Sequence, residues 1–480
     1  MKGEDAIQTC DERDAVIAEL REQLAAQQEQ LTAQKRQIDE LTELLSRNST
    51  NSHLPPSSDG PGAGKRLTER LRKLKSPGKR KRGGQKGRKG VSRARLDPSN
   101  VDVVRDFFPV ACCGCAAMLP EVNDGDPRRT QQVDIVGFRP QLTEFRRHAV
   151  ACPACGKTTL AEFDPQRIPS HAFGPRLTAI VVMLTGVYHL SRARVRMLIQ
   201  DLFGISICIG TISAMEARTS KGLADVHEEI REVVEQAAVK YADATTWLRD
   251  GKTCSVLTIC SAMATYYAVL KNGSRELAKP LFGAITGILV SDRAAQFNFW
   301  LMTMRPICWA HLLRKFVSFS ERDGPAGRFG QGLLDCTALL FAYWRAFKSG
   351  ELSRTELIAW MRPVQRQFEL LLRRAVVARI KGLSGSCQNM FAHREALWTF
   401  VTHEGVEPTN NEAERELRPL VLWRKTSFGS KSARGDQFVA RVMSVARTAR
   451  KQGRRIIDFF EATLRAGLTG APAPRLTSPA

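Results

Sequence analysis

The sequence predicts a multidomain α+β protein, and three features of its 480 residues lead to that fold class. A heptad repeat of apolar residues opens the chain, two pairs of closely spaced cysteines follow, and strand-like segments begin near residue 240. A chain of 480 residues is long enough for two or more domains, and 43% hydrophobic residues suffice for at least one large core.

The charge balance points to a polyanionic partner. The chain has 72 Lys and Arg residues against 49 Asp and Glu residues, a formal net charge of +23, which is typical of proteins that bind nucleic acid. It has no apolar run long enough to predict a membrane span, and its N-terminus lacks the pattern of a secretory signal. Twelve scattered cysteines favour reduced thiols and a metal site over a disulfide framework. We therefore expect a cytoplasmic, nucleoid-associated protein.

Residues 1–47 are predicted to form a coiled coil. Apolar residues recur every seven positions from Ile17 to Leu45, and a second series begins at Leu20 and includes Gln27 and Gln34. These series are the a and d positions of a seam that would join copies of the chain into a homo-oligomer. The alternative is a single amphipathic helix packed on its own domain.

Residues 48–98 are predicted to be a flexible linker followed by a basic arm. The linker is polar and rich in proline and glycine. Residues 65–95 contain fifteen Lys or Arg residues and one acid, which favours phosphate binding, with a solubilising tail as the alternative. The predicted DNA-binding residues of the arm are Lys79, Arg80, Lys81, Arg82, Lys86, Arg88 and Lys89.

Residues 99–165 contain two cysteine pairs with the spacing of a zinc-ribbon-like module. Four thiolates at such spacings are typical ligands of structural Zn²⁺. Strand-like sequence at residues 132–136, between the pairs, agrees with a ribbon. Cys113 can replace its neighbour in the first pair, and reduced structural cysteines are the alternative to zinc. The predicted ligands are Cys112, Cys115, Cys152 and Cys155.

Residues 166–236 are predicted to be a helical DNA-binding region. The segment from Leu190 through Gly204 to Ser213 has the pattern of a helix-turn-helix, with two helix-like stretches separated by a glycine-containing turn. An ordinary helical core with a basic outer face explains the same pattern, so both interpretations stay open.

Residues 237–460 are predicted to form an α/β domain with a helical insertion at about residues 320–400. Residues 461–480 are expected to be a disordered tail. The strand order, a three-stranded start and then a fourth strand, is that of a ribonuclease-H-like sheet, in which the first and fourth strands are neighbours. The predicted strands lie at residues 241–247, 253–260, 265–271 and 283–292.

Three acids in this domain are candidate metal ligands. Asp243 lies in the first strand, and Asp292 ends the fourth, at the edge where open α/β sheets place ligands. Glu414 lies in a charged helix for which we expect Thr409 as N-cap and Glu412 as its partner in a capping box. Two Mg²⁺ or Mn²⁺ ions on such oxygen ligands would activate a water or 3′-hydroxyl for attack on a phosphodiester. Taken singly, each acid is more readily explained as a surface carboxylate.

Other side chains are candidate supports or DNA contacts. Helical spacing places Asn410, Asn411 and Arg418 on the face of Glu414. His311 is a candidate contact of DNA or of a metal-bound water, whereas Trp309 is expected in the core. The basic residues predicted to contact phosphates are Arg415, Arg418, Arg424, Lys425 and Lys431.

A set of motifs in one order along the chain carries a specific resemblance. The motifs are the polar linker at 48–59, the glycine-rich arm at 83–90, the paired cysteines, the Val-Ser-Asp ending at Asp292, and residues 308–316 and 410–415. In these motifs the sequence resembles the insertion sequence 66 family of bacterial transposases. The resemblance implies a DDE transposase with a ribonuclease-H-like core and an acid triad at Asp243, Asp292 and Glu414.

We therefore expect a DNA transposase of a bacterial insertion sequence that binds terminal inverted repeats and catalyses Mg²⁺-dependent strand cleavage and strand transfer. Double-stranded DNA and other copies of the chain are the expected partners, and companion proteins encoded by the element are further candidates. The alternatives are a catalytically defective DNA-binding relic or domesticated regulator, and a nuclease that does not join ends. Two departures from the family pattern are Ala244 after the first acid and Arg293 after the second.

Overall fold

The computed structural model describes residues 18–34, 37–38, 95–122, 125, 127–134, 140–162 and 171–476. The basic arm, with its seven predicted DNA-binding residues, lies outside this described part, as does the linker. Among the described residues, no helix combines the length and apolar character needed to cross a membrane.

The N-terminal segment at residues 18–34 is helical, as the heptad pattern predicts. Its seam leucines are open to solvent: 54% of Leu20, 57% of Leu24 and 64% of Leu31 are exposed. Such an apolar stripe suits a helix that pairs with another chain. The pairing itself stays a prediction.

The cysteine pairs lie in a part of the chain with little regular structure. Strands β1 (Ala149–Ala151) and β2 (Thr158–Leu160) form a short antiparallel hairpin around the second pair. Residues 132–134 are not in a strand, so that prediction is wrong for the described part of the segment. Val133 is 64% exposed, and strand-like sequence with no packing surface has little to stabilise it as a strand.

Four helices follow, which confirms the predicted helical region. Gly204 ends the second of them in the left-handed conformation, with φ at 66°, which glycine adopts without strain. Arg192 on this helix pairs with Glu216 on the next at 2.6 Å. The helices are α1 (Pro175–Val182), α2 (Arg192–Phe203), α3 (Ile209–Gly222) and α4 (Ala224–Gln236).

A four-stranded sheet forms the centre of the C-terminal part. Its order is β5-β4-β3-β6; β3 pairs antiparallel with β4 and parallel with β6. The predicted contact between the first and fourth strands is therefore present. The strands are β3 (Val239–Arg249), β4 (Lys252–Cys260), β5 (Thr265–Leu270) and β6 (Ile288–Val290).

The fourth strand is much shorter than predicted. Residues 283–287 form a loop in which Gly283 and Gly287 have φ angles of 54° and 70°, values that a continuous strand cannot contain. A Cβ on Gly287 would lie 2.6 Å from the Ala238 carbonyl oxygen, so the close approach requires glycine. Beyond β6, Ser291 forms a parallel bridge with Ile307, which extends the sheet.

Helices pack against this sheet and form two hydrophobic cores. One core joins the sheet to α4 and to three C-terminal helices, and the other joins it to the predicted helical insertion. Ser353 and Glu356 form a capping box at the start of the second long insertion helix. After the short α5 (Arg275–Ala278), the insertion comprises α6 (Trp309–Ser320), α7 (Pro325–Lys348), α8 (Arg354–Val377), α9 (Ser384–Ala392) and α10 (Thr399–Thr402).

The C-terminal helices are α11 (Asn411–Ser427), α12 (Ala433–Lys451) and α13 (Ile456–Thr469). The last of these contradicts the prediction that a disordered tail begins at residue 461. Phe459, Phe460 and Leu464 are buried in the sheet core, and this apolar burial stabilises the helix well past residue 461.

Candidate active site

The register between β3 and β6 brings the two predicted aspartates to the same end of neighbouring strands. The strands run parallel, with Tyr241 opposite Val290. Asp243 and Asp292 each come two residues after this last paired position, at the same end of the two strands. Tyr241 belongs to the core on the insertion side, and side chains two residues apart share a face, so Asp243 points to that side.

Glu414 reaches the same region from α11. The segment before this helix crosses the start of α6, where the Asn410 N–H donates to Cys308 Sγ at 3.1 Å. The side-chain amide of Asn410 donates to the carbonyl oxygen of Ala242, next to Asp243, at 2.8 Å. The N–H of Glu414 then donates to the Asn410 carbonyl at 3.1 Å. Asn410 thus holds the start of α11 against β3.

The three acids interact through their charges. The pKa of Asp243 is raised to about 8, first by burial, then by the charge of Asp292, with a smaller contribution from Glu414. The Ala244 N–H, which donates to Asp243 Oδ1 at 2.8 Å, acts in the opposite direction. Oxygens of all three acids do not lie within 4.8 Å of one another in this part of the structure. A half-buried group of mutually repelling carboxylates is an environment that favours a bound cation.

A buried arginine holds the loop that carries Asp292. Arg305 is fully buried and donates to Ser291 Oγ at 3.0 Å, Asn298 Oδ1 at 2.7 Å and the Asp292 and Ala294 carbonyls at 2.9 and 3.0 Å. Burial lowers its pKa to about 10. Sequence reasoning missed Arg305, because a lone arginine outside any motif gives no signal of burial.

Helix α6 presents two side chains to Glu414. His311 Nδ1 lies 3.6 Å from Glu414 Oε1, and Arg314 Nη2 lies 4.0 Å from Glu414 Oε2. Burial lowers the pKa of His311, and the Glu414 charge partly restores it. His311 therefore lies beside Glu414, and its role as a contact of DNA or of a metal-bound water stays a prediction, whereas Arg314 was missed. Trp309 is fully buried in the core, as expected.

Cys308 is a further residue that sequence reasoning missed. Its sulfur lies within 4.8 Å of one ligand atom each of His311 and Glu414, which also lie within that distance of each other. The spacing of Cys308 and His311, three positions apart at a helix start, was the available signal, because such residues lie on one turn.

The start of α11 differs from the predicted capping box. Asn410, not Thr409, is the N-cap residue, and its side chain makes no cap bond. Glu412 instead pairs with Lys451 at 2.9 Å. The tertiary bond of Asn410 to β3 sets the helix start, so the local capping signal at Thr409 gave a wrong prediction.

Two of the three predicted supports of Glu414 lie in a different environment from the third. Asn410 is fully buried, whereas Asn411 and Arg418 are exposed. Asn410 bonds to β3, the strand that carries Asp243.

The predicted DNA contacts of this domain lie on and after α11. Arg424 is half-buried, and its guanidinium donates to Thr245 Oγ1 at 3.4 Å and to the Thr246 carbonyl. Arg424 therefore ties α11 to β3, a structural role that the sequence prediction did not include. The other four, Arg415, Arg418, Lys425 and Lys431, are exposed.

The two cysteine pairs adopt similar turns. The N–H of Cys112 donates to the Ala117 carbonyl and that of Cys152 to the Lys157 carbonyl, both at 2.9 Å. Backbone N–H groups of the turns lower the pKa of both cysteines, which favours the thiolate that binds metal. No three sulfurs of Cys112, Cys115, Cys152 and Cys155 lie within 4.8 Å of one another in the described structure. Zinc binding stays a prediction.

Comparison with known proteins gives two family matches and one relative. A model of the IS66 transposase family matches residues 170–437, which include the sheet, the insertion and the start of α11 with Glu414. A family of unknown function, DUF6444, matches residues 3–94. The uncharacterized protein y4qI of Sinorhizobium fredii is 28% identical over 181 residues, 35% of this chain and 32% of that protein. The match thus spans about a third of that relative.

The IS66 match covers more than half of the chain and the whole acid cluster. The chain belongs to the IS66 family of transposases.

Proposed function

We propose that this protein is a DNA transposase that cleaves and joins DNA strands at the ends of a bacterial insertion sequence, with Asp243, Asp292 and Glu414 as its metal-binding triad. Membership of the IS66 family supports the transposase role. The observation that carries the chemical proposal is the placement of the three acids on β3, just after β6 and at the start of α11, which Asn410 bonds to β3. Burial first, and then the charges of Asp292 and Glu414, raise the pKa of Asp243. Acids from β3, the end of β6 and α11 thus act on one another.

The sheet supports a ribonuclease-H-like core. Three antiparallel strands followed by a parallel neighbour of the first form the order β5-β4-β3-β6. Asp292 directly follows the bridge residue Ser291 at the carboxyl end of β6, where α/β sheets bind ligands.

The donor set fits Mg²⁺ or Mn²⁺. Three carboxylates supply the hard oxygen ligands that these ions prefer. Glu414 Oε1 is buried and has no hydrogen-bond partner, and a bound cation would provide the partner that such an atom normally has. Two bound ions would supply activation of a water or 3′-hydroxyl and stabilisation of the leaving oxygen.

Residues of the chain itself position this donor set. Arg305 fixes the loop of Asp292 through its bonds to that loop's carbonyls. Asn410 fixes the start of α11 and so determines where Glu414 lies along β3. Arg293, one of the two residues that depart from the family pattern, donates to Asn389 Oδ1 of α9 at 2.8 Å. This bond directs the guanidinium towards the insertion.

The N-terminal half supplies DNA binding and assembly in this proposal. The net charge of +23 favours a polyanionic substrate, and double-stranded DNA at the element ends and at the target is the proposed substrate. The open leucine seam at residues 18–34 supports self-association through a coiled coil. The cysteine pairs would hold structural Zn²⁺, and companion proteins of the element are further proposed partners.

The test is an assay of 3′-end cleavage and strand transfer on a duplex that carries an element end, taken from inverted repeats that flank the gene. The wild-type protein is expected to give both products with Mg²⁺ and neither with a chelator. Cleavage without joining would favour a nuclease. DNA binding without any Mg²⁺-dependent product would favour the relic or regulator.

A further inference from the structure

The start of α6 carries metal-ligating side chains that the carboxylate triad does not use. Cys308 is the N-cap residue of α6, and His311 lies one turn along the helix. Their sulfur and nitrogen, together with an oxygen of Glu414, all lie within 4.8 Å of one another. It is the one such group of three or more ligands found among the described residues.

Two atoms of this group are buried without a hydrogen-bond partner. These atoms are His311 Nδ1 and Glu414 Oε1, and they face each other at 3.6 Å. Buried polar atoms are normally paired. A tetrahedral zinc ion with bonds of about 2.0–2.2 Å would hold a nitrogen and an oxygen ligand about 3.4 Å apart. The observed separation is close to that value.

The nearby Arg314 contacts the Glu414 oxygen that does not face His311. Arg314 approaches Glu414 through the other carboxylate oxygen, Oε2, at 4.0 Å. Burial raises the pKa of the Cys308 thiol to about 11, and the Asn410 N–H, which donates to its sulfur, acts in the opposite direction. A metal ion at this position would therefore displace the thiol proton.

We propose that Cys308, His311 and Glu414 form a binding site for Zn²⁺ or a chemically similar transition ion. Thiolate, imidazole and carboxylate together are a zinc ligand set, whereas Mg²⁺ takes oxygen ligands. Three protein ligands leave a fourth tetrahedral position for a water or a DNA oxygen. Binding displaces the thiol proton of Cys308 to solvent.

This site shares one ligand with the triad. A zinc ion that takes Glu414 removes a carboxylate from the Mg²⁺ site, so Zn²⁺ opposes Mg²⁺-dependent cleavage. That consequence rests on the proposed function, but the binding of the ion does not.

The binding test is a Co²⁺ titration of the full-length, reduced, metal-free protein without DNA, followed by its thiolate-to-cobalt absorption. Wild type is expected to bind one equivalent of Co²⁺ more than either Cys308→Ser or His311→Ala. Its thiolate-to-cobalt absorption is expected to be stronger than that of Cys308→Ser. Cys336→Ser removes a buried thiol of α7 outside the group and is the matched control, expected to equal wild type. The other cysteines are common to wild type, Cys308→Ser and His311→Ala, so their contribution cancels in those differences.

Equal stoichiometry and equal spectra for wild type and Cys308→Ser would overturn the proposal. If thermal unfolding shows that Cys308→Ser does not fold, His311→Ala decides: loss of one equivalent supports the site, and no loss overturns it. A second arm adds Zn²⁺ to the Mg²⁺-dependent cleavage assay, where inhibition is expected in wild type and is weaker in Cys308→Ser. A Cys308-dependent equivalent in a protein with no cleavage activity would uphold the site and refute the proposed function.

Discussion

Among single residues, Asn410 has the most consequence for the geometry of the acid cluster. It is fully buried and connects three elements, through its N–H to Cys308, its amide to Ala242 and its carbonyl to Glu414. The side chain makes the bond to β3 and the backbone makes the other two, so together they determine how α11 meets β3. Its neighbour Asn411 is exposed and provides a natural comparison.

We predict that Asn410→Ala lowers both stability and cleavage rate. The substitution removes the bond to the Ala242 carbonyl, which should cost about 1–3 kcal/mol of unfolding free energy, and it frees the helix start that carries Glu414. Asn411→Ala should leave both quantities near wild type. Denaturant unfolding and cleavage kinetics of the two variants check this, and indistinguishable behaviour of the pair would refute the positioning role of Asn410.

We predict that His227 contributes to a loss of stability in acid. Its Nε2 lies 3.0 Å from the Tyr267 carbonyl, and burial lowers its pKa to about 4. An unfolded histidine titrates near pH 6.5. The folded state therefore disfavours the protonated form, so the stabilisation is complete above about pH 6.5 and is lost as the pH falls towards 4.

His227→Gln keeps a donor for the Tyr267 carbonyl and removes the titration. Its unfolding midpoint, measured between pH 4 and 7.5, should fall less steeply with acid than that of wild type. His189, whose pKa burial also lowers to about 4, is present in both proteins and does not affect the comparison. Parallel profiles for the two proteins would show that His227 is not the group concerned.

Among the elements, helix α11 separates three glutamates into three roles. Glu412 pairs with Lys451 at 2.9 Å, and Glu416 is buried against Arg447 at 2.6 Å. Glu414 lies between them in sequence, yet it faces His311 and the acid cluster. The helix thus carries structural ion pairs on one side and the proposed metal ligand on another.

We predict opposite stability effects for two of these glutamates. Glu416→Gln weakens a buried, doubly bonded pair with Arg447, and breaking such a pair costs up to about 3–5 kcal/mol. Glu414→Gln removes one charge from a group of repelling acids, so the metal-free protein should be as stable as wild type or more stable. Urea unfolding without metal measures both. A larger loss for Glu414→Gln than for Glu416→Gln would contradict this assignment.

Local patterns predicted some elements well and failed where distant residues decide the structure. The alternating segments gave β3, β4 and β5 within about two residues, because each is a well-paired strand with β-branched residues. The capping box at Ser353 is present, whereas the box predicted at Thr409 is absent because Asn410 bonds to β3 instead. The burial of Arg305 depends on partners that no local pattern contains.

At the scale of the whole molecule, positive charge is concentrated before the folded catalytic part. Residues 65–95 hold fifteen Lys or Arg residues, and charge of this density makes DNA affinity depend on salt. The proposed metal-binding acids and the predicted DNA-binding arm are therefore separate in sequence, which allows each to be altered alone.

We predict that the arm sets the salt dependence of DNA binding. Glutamine at Lys79, Arg80, Lys81, Arg82, Lys86, Arg88 and Lys89 should reduce the slope of log affinity against log salt by up to about 6, if each residue contacts one phosphate. Arg418→Gln should reduce it by no more than about 1. Fluorescence anisotropy over a range of salt concentrations measures both slopes. An unchanged slope in the arm variant would assign the arm to solubility instead.

The proposed metal-binding triad makes a direct prediction for the Mg²⁺-dependent 3′-end cleavage rate of Glu414→Gln. Glu412→Gln, on the same helix but paired with Lys451, is the matched control. We expect Glu414→Gln to lose at least about a hundredfold in rate and Glu412→Gln to stay within about threefold of wild type. A Glu414→Gln protein that cleaves at the wild-type rate would contradict the account.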